Sequence, residues 1–172
     1  MAPASSGDRR VTLSDAGLLV LRLVLGGIYM SHGLRKLGWR EAGGFGEFRG
    51  SIARRGFRPA TPWAIAAIAS ELAGALLIST GLFFPLGAAL LFAQSLTIVV
   101  LVWPRGFWHD RGGVEYPLLL SGASLGLAFA GPGAISLDVA LATAFPVISG
   151  PALAAIAAVA AVAGLVSRRG PA

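Results

Sequence analysis

LLVLRLVLGGIYMSHGLRK, residues Leu18–Lys36, is long and apolar enough to cross a bilayer, yet it carries Arg22, Tyr29, His32 and Lys36. A helix turns about 100° per residue, so residues seven and fourteen apart nearly superimpose. Arg22, Tyr29 and Lys36 therefore fall on one line, and His32 lies roughly 80° round from Arg22. The remaining faces are dominated by Leu, Val, Ile and Met. A full charge in hydrocarbon costs about 2.5–3.5 kcal/mol on insertion scales. The polar stripe is thus expected to face other helices or a wet cavity, with the apolar faces toward lipid.

Composition agrees. The chain has 172 residues, 55% of them hydrophobic and 13% charged, and a mean hydropathy of +0.75. This pattern fits an all-α membrane protein of four or five helices. There is no cysteine, which excludes disulfides, thiolate chemistry and Cys-ligated metal within this chain. Two histidines without a carboxylate at ligand spacing give no metal site. The net charge of +6 would suit nucleic acid, but its placement does not. Apart from Arg9, Arg10 and Arg22, every Lys and Arg falls in the last turn of span one, the first loop, the third loop or the C-terminus. On a five-span reading those segments share one side, which the positive-inside rule places in the cytoplasm. The N-terminus is then outside. Arg9 and Arg10 look like the start of a signal peptide, but Arg22 interrupts the apolar run and no small-x-small cleavage site follows.

Taken in order, residues 1–14 read as a polar tail, with Ser14 or Asp15 as the expected N-cap of span one. Span one runs from Asp15 to Lys36. Phe45, Phe48 and Ile52 recur at helical spacing in a basic loop, predicting a short amphipathic interfacial helix. Pro62 and Trp63 open span two, which runs to Phe84 and contains Glu71. Gly81 and Pro85 mark a hairpin into span three, Pro85 to Trp103, whose polar content is Gln94, Ser95 and Thr97. Span four, Val114 to Ala130, starts with Glu115 and Tyr116. Asp138 is expected to cap the next helix. The Ala-rich remainder, broken by Pro146 and Pro151, is read as a short helix and a fifth span from Ala152 to Val166; one kinked span from Asp138 fits equally.

Counting depth from these ends puts Glu71 between Arg22 and Tyr29, and Glu115 level with His32 and Lys36. Two expectations follow: an Arg22–Glu71 ion pair inside the membrane, and a cavity mouth lined by His32, Lys36, Glu115 and Tyr116. The same charges could equally be inter-helix pairs that fix packing.

Five pieces of sequence carry a resemblance: LRLVLGGIYMSHGLRKL, GGFGEFRGSIARRGF, ELAGALLISTGL, GGVEYPLLL and GPGAISLD, in that order between Leu21 and Asp138. Together they are similar to the DoxX family of small bacterial membrane proteins. The resemblance implies a four-helix transmembrane bundle over residues 15–138, to which residues 139–172 add a C-terminal extension. It implies a multi-pass protein of the bacterial inner membrane. It also implies a role as a membrane subunit of a quinone-linked oxidoreductase, as in members described as part of a thiosulfate:quinone oxidoreductase or of complexes handling thiol or oxidative stress. The cofactor implied is a quinone, and the partners are the bilayer and other redox subunits, not nucleic acid. The residues it points to are Arg22, His32, Lys36, Glu71, Glu115 and Tyr116. With Tyr29 they make up the expected ligand site. The alternative is a non-catalytic scaffold, or a binder or transporter of a small lipophilic or solute ligand.

Overall fold

Seven α-helices and no strand make up the described part of the chain in a computed structural model that covers residues 11–40, 43–143, 145–146 and 148–168. They are α1 (Leu13–Lys36), α2 (Gly44–Arg54), α3 (Ala60–Thr80), α4 (Phe84–Val102), α5 (Glu115–Ala130), α6 (Leu137–Ala140) and α7 (Ser149–Val166). Helices α1, α3, α4 and α7 are long and apolar enough to span a membrane. Helix α5 is the shortest of the bundle, 16 residues or roughly 24 Å at 1.5 Å per residue. The all-α membrane fold is the one the sequence predicts.

Helix α4 is the centre. It packs along α3, α5 and α7, while α1 packs chiefly along α3. The core joins Leu25 and Tyr29 of α1, Ile78 of α3, Leu91 of α4, Leu127 of α5 and Ala154 of α7. The outer faces carry exposed Leu23, Val24, Ile65, Leu76, Leu119, Ile156 and Val159. Such a contiguous apolar exterior requires lipid. All four tryptophans, Trp39, Trp63, Trp103 and Trp108, sit at or near helix ends on one side of the bundle, at the level expected of an interfacial belt.

That side is the basic end. Leu165 of α7 packs there with Ile52, Phe57 and Ala64, Lys36 lies over the Phe48 ring at 4.7 Å, and Arg55 neighbours Arg105. The first loop, the third loop and the end of α7 therefore do share one end. Helix α2 turns Phe45, Phe48 and Ile52 onto this end of the bundle, so its apolar face covers protein.

Two local expectations are corrected, and one open choice is decided. Thr12, not Ser14 or Asp15, is the N-cap of α1: its hydroxyl accepts from the Asp15 N–H while the Asp15 carboxylate accepts from the Thr12 N–H. This reciprocal box places the acid at the third helical position. Asp138 does not cap the helix that follows it; Ser136 does. The Asp138 carboxylate accepts from the N–H groups of Phe83 and Phe84, 2.9 Å each, and so caps α4. Phe83, with φ of 45° in the left-handed region, turns those donors toward it. The C-terminal segment is a four-residue helix followed by a separate span, and not one kinked helix.

Close backbone approach fixes the α5–α7 crossing. A Cβ on Gly150 would lie 2.1 Å from the carbonyl oxygen of Ala128, whereas one on Gly27 would meet nothing within 4 Å. Gly150→Ala is expected to cost about 1–3 kcal/mol through forced backbone movement. Gly27→Ala is expected to be neutral or to gain about 0.4–1 kcal/mol by stiffening the unfolded chain. Thermal melts of the two variants in detergent check this; equal melting would refute the crossing.

Candidate functional site

The small residues of α1 set its register against α3. A Cβ on Gly33 would touch Leu72 and come within 3.5 Å of Glu71 Cβ; one on Gly26 would strike Ser79 and the Ala75 carbonyl. Gly33 thus lies opposite Glu71. Lys36 is about one turn from that level, and Arg22 about three turns, roughly 16 Å at 1.5 Å per residue.

The expected Arg22–Glu71 pair is accordingly not formed. Glu71 Oε1 accepts from Lys36 Nζ in a close ion pair and from Gln94 Nε2 at 3.1 Å. The Glu71 side chain is 2% exposed and that of Lys36 18%. Lysine at a helix end reaches inward along the bundle, where it is the nearest cation to the carboxylate. Glu71 Oε2 is buried and has no hydrogen-bond partner among the described residues.

Arg22, 1% exposed, is spent at the other end of the bundle. Its Nε donates to the Ile78 carbonyl (2.8 Å) and Nη2 to the Ser79 carbonyl (3.0 Å); Nη1 donates to the carbonyls of Pro132 (2.6 Å) and Ile135 (2.7 Å). Ile78 and Ser79 belong to the last turn of α3, whose carbonyls lack intrahelical donors and carry the negative end of the helix dipole. Asp15 accepts from the Ala134 N–H at 2.6 Å, and the Asp138 N–H donates to the Gly81 carbonyl at 2.9 Å. Together these groups clasp the 131–138 loop to the ends of α1, α3 and α4. Arg22 therefore joins the end of α3 to the loop after α5, about three helical turns from the level of Glu71.

Between α1, α3, α4, α5 and α7, roofed by α2, lies a cavity of about 650 Å³. Of the residues named from sequence, Tyr29, His32, Lys36, Glu71 and Tyr116 line it. The Tyr29 hydroxyl donates to the Leu91 carbonyl at 3.1 Å. Glu115 does not reach the cavity. It is exposed at the first turn of α5, where its carboxylate accepts from the His109 N–H at 3.0 Å. A level shared with His32 and Lys36 was not enough, because the helix turns Glu115 the other way. Tyr116 stands between His32 and His109, with ring centroids 6.2 and 5.5 Å away. His32 and Tyr116 also line a surface groove with Val24, Gly27 and Ile28 of α1, and so separate the cavity from the outer face of the bundle.

Sequence reading missed three parts of the lining. Gln94, noted only as polar content of span three, is fixed by Glu71 and by the Ser70 hydroxyl, 3.3 Å from its Oε1. A polar Gln–Ser pair in the middle of an apolar span was the available signal. Ala157, Ala160, Ala161 and Gly164 make α7 a wall of the cavity, a role their small size signals. At the basic end the lining includes Arg55, Phe57 and Trp63. Desolvation first, then Arg105 and Arg54 beside it, lower the Arg55 pKa from its ordinary value.

No curated protein and no solved structure matches the chain. A family model, DoxX, matches residues 17–104, from the start of α1 to the end of α4. That match covers just over half of the 172 residues and holds Lys36, Glu71 and Gln94 together, so the chain is an integral membrane protein that belongs to the DoxX family.

Proposed function

We propose that this protein is a membrane subunit of a quinone-linked oxidoreductase system and that the cavity receives the quinone ring. The observation that carries the reading is Glu71 Oε2, a buried carboxylate oxygen without a hydrogen-bond partner among the described residues, in a largely apolar cavity of ligand size. The residues present suit such a ring. Lys36 Nζ, Gln94 Nε2 and the Tyr116 hydroxyl can donate to its carbonyls, and Glu71 Oε2 can accept from a hydroxyl of its reduced form. A bound quinone would supply the exchange of electrons and protons; this chain's residues would bind and orient it and exclude water. The groove beside His32 and Tyr116 offers a way in from the bilayer. Electrons would come from partner subunits, since the chain has no cysteine. Residues 15–138 would form the shared membrane domain and residues 139–172 an extension that adds the α7 wall.

Organic extracts of the detergent-purified protein are expected to contain quinone in near-stoichiometric amount, and Glu71→Gln to lower that amount at least tenfold. Extracts without quinone, together with no binding of a short-chain quinone, would reject the redox reading in favour of a lipophile binder. We place the protein in the bacterial inner membrane on its family membership, with the basic end cytoplasmic on the charge distribution. Alkaline phosphatase fused after Ala172 is expected to be inactive, and a fluorescent protein there to fluoresce; the opposite pattern reverses the orientation.

A further inference from the structure

The quinone reading leaves the basic end of the cavity unused. Arg55, the C-cap of α2, lines the cavity there. Its charged neighbours are Arg105, Arg54 and Lys36, all cations. No carboxylate pairs with Arg55 among the described residues. The one acid in the lining, Glu71, is already taken by Lys36. Lys36 and Arg55 against Glu71 give the lining one more cation than it has acids. An exposed guanidinium at the rim of a largely apolar cavity, with cations for neighbours, favours an anion that can accept from its planar fork.

The walls that run inward from Arg55 are apolar. Phe57 and Trp63 pack ring to ring at 5.3 Å, and the Arg168 guanidinium lies over the Phe57 ring at 5.6 Å. The Trp63 ring lies against Gly164, where a Cβ would sit 3.0 Å from it. Beyond it, the small side chains of α7 face Leu101 and Ile98 of α4 across the cavity. A charged rim above an apolar slot matches a molecule with one anionic head and one hydrocarbon chain.

We propose that the cavity binds a singly charged anionic amphiphile, its head on Arg55 and its chain along the slot between α3, α4 and α7. The site needs no redox chemistry and stands or falls separately from the quinone reading. The attraction is local: Arg55 and Arg49 are both exposed, but only Arg55 lines the cavity.

Trp63 is the only tryptophan in the lining, so it reports occupancy. In a variant with Trp39, Trp103 and Trp108 changed to Phe, held in phosphatidylcholine nanodiscs, 11-bromoundecanoate is expected to quench Trp63 at about tenfold lower concentration than 11-bromoundecanol, the gain of one charge-assisted contact. Arg55→Gln should erase that preference and Arg49→Gln should keep it. Arg55→Gln relieves repulsion, so it is expected to fold at least as well as the parent. Equal quenching by acid and alcohol in the parent overturns the proposal. So does equal loss in both arginine variants, which would mean a general surface field. Should the tryptophan variant fail to fold, melting of the unaltered chain gives the same decision. Undecanoate must raise the melting temperature more than undecanol, and only while Arg55 is present. Quinone content of the extracts is read independently of either outcome.

Discussion

Arg22→Leu is expected to abolish most of the folded yield in detergent. Four backbone carbonyls lose their donors at once: Ile78 and Ser79 at the end of α3, and Pro132 and Ile135 in the loop after α5. The α3 carbonyls sit where no helical N–H is available, and a leucine offers none. Each buried acceptor left unsatisfied costs about 1–3 kcal/mol, so the loss should exceed roughly 4 kcal/mol, against a total stability of about 5–15 kcal/mol. Arg22→Lys should fall between, because an ammonium keeps the charge but lacks the fork that reaches two elements together. The critical control is the double change Arg22→Leu/Glu71→Leu, which should recover nothing. A single mutant that melts within a couple of degrees of the parent would show that the clasp does not hold this end of the bundle. Recovery in the double mutant would restore the pairing predicted from depth.

That pairing failed for a reason visible in particular residues. Hydropathy locates spans well, since about 20 apolar residues are needed to cross a bilayer. The five long helices, four of them long and apolar enough to span, the amphipathic α2 and the grouping of basic loops were legible on that basis. Hydropathy does not set how far one span slides along the next. In this protein Gly26 and Gly33, seven residues apart on one face of α1, determine the slide by letting α3 approach, and they bring Glu71 to the level of Lys36. A reading that paired small residues before pairing charges would have found it. Asp138 was legible as a cap but not as the cap of α4, because its target is 54 residues earlier in the chain. Among the seven residues singled out, five line the cavity; Arg22 and Glu115 lie on polar stripes that the bundle uses elsewhere. The rim at Arg55 escaped notice because a loop of many arginines looks like ordinary positive-inside charge until the cavity beneath it is seen.

Lys36→Leu carries the second large effect, and it separates structure from function. Removing the ammonium leaves the Glu71 carboxylate buried with Gln94 as its remaining partner, its other oxygen already bare. Breaking a buried pair from one side typically costs about 3–5 kcal/mol, because the surviving charge has no compensation. Folded yield of Lys36→Leu should drop accordingly, and Glu71→Leu should drop less, since Lys36 is partly exposed and can turn toward the Phe48 ring and the interface. The double change Lys36→Leu/Glu71→Leu should recover most of the yield, because two apolar side chains of similar volume fill the same space without desolvated charge. What the double mutant then binds decides the role of the pair. A purely structural pair leaves the quinone content of the refolded bundle at the parent level. A pair that receives the ring leaves a stable, empty protein, since Glu71 Oε2 and Lys36 Nζ supply the polar contacts on that side of the cavity and leucine supplies none. Full stability of Lys36→Leu alone would contradict both, for it would mean that water already reaches Glu71 and that the carboxylate is not held in an apolar cavity.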